Sequence, residues 1–101
     1  MSGNEMDALV ERATARLESL ESSLGALEQI RARFATKDGA VTAEVDGHGA
    51  LVGLWLDESI SEMPAKDVSK LITWAGQQAA QLAGAERSWI IESLNSSFRT
   101  R

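Results

Sequence analysis

Two rows of apolar residues with heptad spacing run through the first third of the chain. Val10, Leu17 and Leu24 are seven residues apart. A second row with the same spacing falls between them and consists of Met6, Ala13, Leu20, Leu27 and Phe34. Alternating steps of three and four residues place both rows along one side of a helix. The pattern predicts a long helix over residues 1–34, about 45 Å or more in length, which is too long to bury its whole stripe within one small chain.

After this helix the apolar period changes from seven to two. Val41, Ala43 and Val45 alternate with polar residues, and the DGHG segment that follows has the composition of a tight hairpin turn. The run 50–56 supplies the returning strand, and a short strand around residues 35–37 precedes both. The pattern therefore predicts a three-stranded antiparallel meander over residues 35–57.

The last strand of the meander is apolar on both faces. Val52, Leu54 and Leu56 continue the buried face, while Leu51 and Trp55 make the other face apolar as well. A small sheet is marginally stable without a helix or partner against each apolar face. We therefore expect Leu51 and Trp55 to lie in a homodimer interface.

A second helix is predicted over residues 64–98. Pro64 suits the first turn of a helix, and the stripe that follows is rich in small residues such as Ala75 and Ala79. Gly84 allows a break within it. The fold class is therefore α+β, a single domain over residues 1–101 with the order α-β-β-β-α.

Composition argues against an enzyme or a metalloprotein. The 101 residues include no cysteine and a single histidine. That histidine, His48, lies between two glycines in the predicted hairpin, where an exposed turn residue is expected. No nucleophile, base and orienting carboxylate are spaced as a catalytic set. We expect no catalytic residues, no metal and no cofactor, and the acidic N-terminus has no signal-peptide pattern, which favours a cytoplasmic protein.

Charge is distributed unevenly along a chain of net charge −5. Residues 1–30 contain six acidic and two basic residues, whereas Arg31, Arg33 and Lys37 form a short basic cluster. Arg12 and Arg16 are one helical turn apart. These cations suit contacts to phosphates. The alternative is that they pair with glutamates one turn away, as on many solvated helices.

The central half of the chain resembles the YbaB/EbfC nucleoid-associated family of bacteria. In that family a glycine precedes a strand of alternating valines, a Gly-x-Gly hairpin follows, and the next strand ends in an apolar residue and Asp. The matching residues are Gly39, Val41, Val45, Gly47, Gly49, Leu56 and Asp57. The long first helix and the amphipathic last helix match by architecture.

The resemblance implies a tweezer-shaped homodimer with sheets at its centre and long helices projecting. It also implies a nucleoid-associated function, in which the dimer binds double-stranded DNA with little sequence preference. Arg12, Arg16, Arg31, Arg33 and Lys37 are the expected DNA contacts. Family-like proteins also accompany type VII secretion systems, so the alternative function is an interaction module or chaperone-like accessory with a protein partner. Neither function involves a membrane.

Overall fold

The computed structural model describes residues 3–99 and has the predicted order of elements. Two helices flank a three-stranded antiparallel sheet of order β1-β2-β3. The elements are α1 (Gly3–Glu28), β1 (Arg31–Ala35), β2 (Val41–Asp46), β3 (Leu51–Leu56), a 3₁₀ helix (Glu58–Glu62) and α2 (Ala65–Arg99).

The first helix ends six residues before the predicted boundary at residue 34. Residues 31–35 form β1, so the meander starts at Arg31 rather than at residue 35. Within β1, Ala32 is buried and Phe34 half-buried, whereas Arg31 and Arg33 are exposed. This alternation has the period of a strand. Phe34 also continued the heptad spacing, which is why the helix was predicted to extend over it.

The turn between β1 and β2 is held by side chains as well as by backbone. The Asp38 carboxylate accepts hydrogen bonds from the Thr36 hydroxyl (2.9 Å) and from the Ala40 N–H (3.0 Å). The Thr36 hydroxyl in turn accepts the Val41 N–H at 3.1 Å. Gly39 has a φ of 75°, a conformation that costs glycine little. The turn thereby fixes the register of the central strand.

The hairpin between β2 and β3 confirms the predicted tight turn. One oxygen of the Asp46 carboxylate accepts the N–H of His48 at 2.9 Å and that of Ala50 at 3.0 Å. These two donors stabilise the charged form and lower the pKa of Asp46. Gly49 adopts a φ of 83°. His48 is exposed at the tip, as expected for a turn residue.

Helix α2 runs without interruption through Gly84, so the break allowed there does not occur. Its inner face is made of small residues: Ala75, Ala79 and Ala83 are each 1% exposed or less. They contact residues of the central strand and its neighbour, including Val45 and Ala32. Small side chains permit the helix to approach β1 and β2 closely.

The same face of α2 continues beyond the sheet, where α1 packs against it. Ala26 and Leu27 pack against the buried cluster to which Ile90 belongs, and the Oγ atoms of Ser19 and Ser97 are 3.5 Å apart. The helices are therefore antiparallel, and the N-terminal half of α1 extends past the described end of α2. The principal extents are 76 × 18 × 17 Å. We call residues 3–18 of α1 the arm.

We expect Ala79→Leu to destabilise the chain by about 1–3 kcal/mol, since the added methylenes have no space between α2 and the sheet. Urea unfolding measures the change. Ala85→Leu is the matched control, because Ala85 is exposed on the same helix and should leave the free energy of unfolding nearly unchanged. Equal effects of the two substitutions would contradict the close packing at Ala79.

We expect the contribution of Asp46 to depend on pH. Its pKa is lower in the folded protein than its ordinary value of 3.8, so its stabilisation is complete above that value and is lost as the pH falls through the folded pKa. Asp46→Ala should therefore lower the Tm at neutral pH, and the difference from wild type should shrink in acid. Thermal unfolding at neutral and at acidic pH measures this difference, and a difference that stays the same in acid would contradict the role of the carboxylate.

Candidate nucleic-acid and dimer surfaces

The five basic residues expected to contact DNA lie on three separate surfaces. Arg12 and Arg16 are on the arm, Arg31 and Arg33 are on the exposed face of β1, and Lys37 is in the turn after β1. Arg31 begins β1 just after α1, so the basic cluster starts where helix and sheet meet and extends along β1 to the turn. An extended strand spreads residues 31 and 37 over about 20 Å, because each residue advances the chain by about 3.3 Å.

Arg33 is held between an acid and an aromatic ring. Its Nη2 and Nε donate to the same Glu44 oxygen at 2.9 and 3.2 Å. Its guanidinium carbon lies 4.2 Å from the centre of the Trp55 ring, which is a cation–π contact. The Arg33 side chain is still 58% exposed, so these two contacts do not bury it.

Gly53 provides the space for this arrangement. A Cβ atom at that position would lie 2.6 Å from Cη2 of Trp55 and 3.4 Å from Cβ of Glu44. The indole ring therefore lies back over Gly53 and reaches towards Arg33. The sequence does not reveal Glu44 as the partner of Arg33, because the two residues are paired through β1, a strand that the heptad pattern conceals.

Arg31 contacts the end of α1 rather than an acidic side chain. Its Nη1 donates to the backbone oxygen of Ile30 at 2.7 Å and, at the longer distance of 3.5 Å, to that of Glu28. A cation here satisfies carbonyls left unpaired at the C-terminus of a helix. Lys37 has no ion pair with any other residue of the described range 3–99.

Strand β3 is exposed on both faces within one chain. Helix α2 lies over β1 and β2, and the large residues of β3 are between 38% and 51% exposed. The exposed residues are Leu51, Val52, Leu54, Trp55 and Leu56. The expectation that Val52, Leu54 and Leu56 complete the buried face is therefore wrong for the single chain.

The expectation that Leu51 and Trp55 lie on the same face of the sheet is also wrong. A β-bulge leaves Val52 as an extra residue, so Leu51 stands opposite Val45, while Trp55 stands opposite Thr42. Opposite residues share a face of the sheet, and Val45 and Thr42 are on different faces. Leu51 and Trp55 thus present apolar surface on the two sides of β3.

An aromatic cleft that the sequence pattern does not predict lies at the β1 edge of the sheet. The Trp74 ring packs edge-on against Phe34, with 5.1 Å between ring centres. Trp74 also lines a shallow cleft of about 590 Å³ with Lys37, Asp38 and Leu71. Predicting the cleft would have required knowing that Phe34 is in a strand adjacent to α2.

Within residues 3–99 two structural features are absent, a group of metal-ligating side chains and a membrane-spanning helix. Nowhere in this range are three His, Asp or Glu side chains grouped to hold a metal ion. Within the same residues, neither helix has a stretch apolar and long enough to cross a bilayer.

The family model of the YbaB/EbfC DNA-binding family matches residues 2–98. The chain belongs to the YbaB/EbfC DNA-binding family. The resemblance seen in the glycine and valine positions of the hairpin is thereby confirmed, and so is the α-β-β-β-α order that it implied. No curated protein matches the chain significantly.

Proposed function

We propose that the chain is a nucleoid-associated protein that binds double-stranded DNA as a homodimer with little sequence preference. The observation that carries the proposal is the match to a DNA-binding family over residues 2–98. The functional assignment also implies a cytoplasmic protein with no enzymatic activity and no cofactor. The geometry suggests how dimerisation and DNA binding would be divided between surfaces.

Dimerisation is assigned to β3. It is an edge strand with no charged residue between Leu51 and Leu56, and such edges are usually protected or paired. Strands that are apolar on both faces are usually buried on both faces. A second copy that packs against β3 would cover Leu54 and Leu56 on one face and Trp55 on the other.

DNA binding is assigned to cations that remain accessible outside β3. Arg12, Arg16 and Lys37 have no ion-pair partner in the described part of the chain, while Arg31 and Arg33 remain exposed. A dimer would present each of them twice, on the two arms and the two sheets. Contacts of this kind are to phosphates and carry no sequence information.

We expect Trp55→Glu to shift the protein from dimer to monomer, because it introduces a charge into the proposed interface. The new carboxylate would lie near Arg33, so the monomer should remain folded. Light scattering at low micromolar concentration and circular dichroism measure the two effects.

Ala35→Glu is the matched control for this substitution. Ala35 and Trp55 both stand opposite Thr42, but Ala35 is on the β1 edge. It should leave the dimer intact. A Trp55→Glu protein that stays dimeric, or an Ala35→Glu protein that becomes monomeric, would place the interface elsewhere than on β3.

We expect a random-sequence duplex to bind with a Kd on the order of micromolar or weaker at physiological salt. Two double substitutions, Arg12→Ala/Arg16→Ala and Arg31→Ala/Arg33→Ala, should weaken binding to all duplexes alike. Each lost phosphate contact should reduce the slope of log K against log salt by about 0.9. Glu44→Gln should tighten binding by releasing Arg33. Fluorescence anisotropy at two salt concentrations measures these changes.

Lys66→Ala/Lys70→Ala removes the same charge from α2, outside the proposed contacts, and serves as the control. If the dimeric wild-type protein binds no duplex at low salt, the DNA-binding proposal is wrong. If it binds and the arginine variants bind as well as the lysine control, DNA binding stands and the choice of contacts is wrong.

A further inference from the structure

Most of the heptad stripe on α1 stays exposed after α1 has packed on α2. Leu20 and Leu27 are partly buried, but Val10, Leu17 and Leu24 are 56%, 60% and 50% exposed. These three residues form a straight apolar row along about 21 Å of helix, since each residue advances it by 1.5 Å. The row is therefore surface that α2 does not cover.

Helix α2 supplies a second apolar border on the same side. A cavity of about 250 Å³ brings Arg87 of α2 together with Leu24 of α1. Ile91 and Phe98 follow Arg87 by four and eleven residues, steps that keep side chains on one side of a helix. They are 39% and 42% exposed. The two helices thus form a trough, defined as Leu17, Leu24, Ile91 and Phe98, and Val10 continues its α1 border along the arm beyond the described end of α2.

The cavity closes one end of the trough at the tip of the β2–β3 hairpin. Its walls combine an apolar floor with charged and polar groups at the rim. They are Leu24, Leu27, Glu28, Gly47, His48 and Arg87. A cavity of this size accommodates one large apolar side chain, as an anchor residue of a docked segment requires.

The outer border of the trough on α1 is acidic. Glu21 and Glu28 follow Leu17 and Leu24 by one turn, and within residues 3–99 neither has a cation within 4 Å. Arg12 is two residues from Val10, hence about 160° around the helix. The side of α1 that carries the trough is therefore negative, although the arm also bears arginines.

This charge selects among the possible occupants. A second copy would set Glu21 and Glu28 against equivalent carboxylates or against its own apolar row, and like charges in contact are unfavourable. A DNA phosphate backbone would be repelled for the same reason. A helix with apolar residues at heptad spacing and basic residues beside them would pack on the apolar row and place its cations next to Glu21 and Glu28.

We infer that the trough binds a basic amphipathic helix of another protein, which would complete a three-helix arrangement with α1 and α2. Four to five turns of such a helix would span Val10 to Leu24. An apolar anchor would enter the cavity beside His48, and lysines or arginines would face Glu21 and Glu28. The inference goes beyond the proposed DNA binding and does not depend on it.

The test uses the full chain and a labelled helical peptide of about three heptads, with leucine at a and d and lysine at e and g. Fluorescence anisotropy without DNA should show saturable binding that weakens with salt. Leu17→Glu should weaken binding by about tenfold or more, even though it adds a negative charge that would attract the peptide. A peptide with glutamate in place of lysine should not bind.

Ser22→Glu adds the same charge on the exposed far side of α1 and should leave the affinity unchanged or slightly higher. If Leu17→Glu does not weaken peptide binding, the interaction is general charge attraction and the inference is wrong. A second result would also overturn the inference. In it, the wild-type protein does not bind the peptide but forms an assembly larger than a dimer, and Leu17→Glu abolishes that assembly. A second copy of the chain would then be the occupant of the trough. Neither result bears on the duplex measurements.

Discussion

Close approach between α2 and the sheet is the contact on which the rest of the structure depends. Ala75, Ala79 and Ala83 are almost fully buried at this contact, and only side chains of this size let a helix lie so near the strands. Because α2 has 35 residues, or about 52 Å, its inner face continues past the sheet to Ile90 and holds α1. One helix thereby positions both the sheet and the arm.

The exposed β3 strand is a geometric consequence of that packing. A helix with its side chains is about 10 Å wide, whereas neighbouring strands are about 4.8 Å apart. A single helix therefore covers about two strands of a three-stranded sheet, and α2 lies over β1 and β2. Leu54 and Leu56 face the helix side but lie beyond its edge. A chain with one covering helix therefore leaves the third strand uncovered.

The sequence predicted the elements better than their boundaries and contacts. The alternation of Val41, Ala43 and Val45 fits only a strand, and the structure has β2 at the predicted place. Phe34 satisfies both a heptad and a strand pattern, and only packing on Trp74 decides between them. The bulge at Val52 leaves no trace in a run that is apolar throughout, so the faces of Leu51 and Trp55 were not predictable. The Arg33–Glu44 pair depends on register, which is a tertiary property.

The chain is acidic overall but belongs to a DNA-binding family, so its basic residues need to lie apart from its acidic ones. Helix α1 shows such a separation. Arg12 and Glu21 are nine residues apart, which places them on opposite sides of the helix. Screening limits the reach of exposed charges to about 8 Å in physiological salt, so a phosphate near Arg12 would be affected mainly by that side of the arm. The apolar row and its acidic border are on the other side. Two ligands of opposite charge therefore need not compete for the same face of one helix.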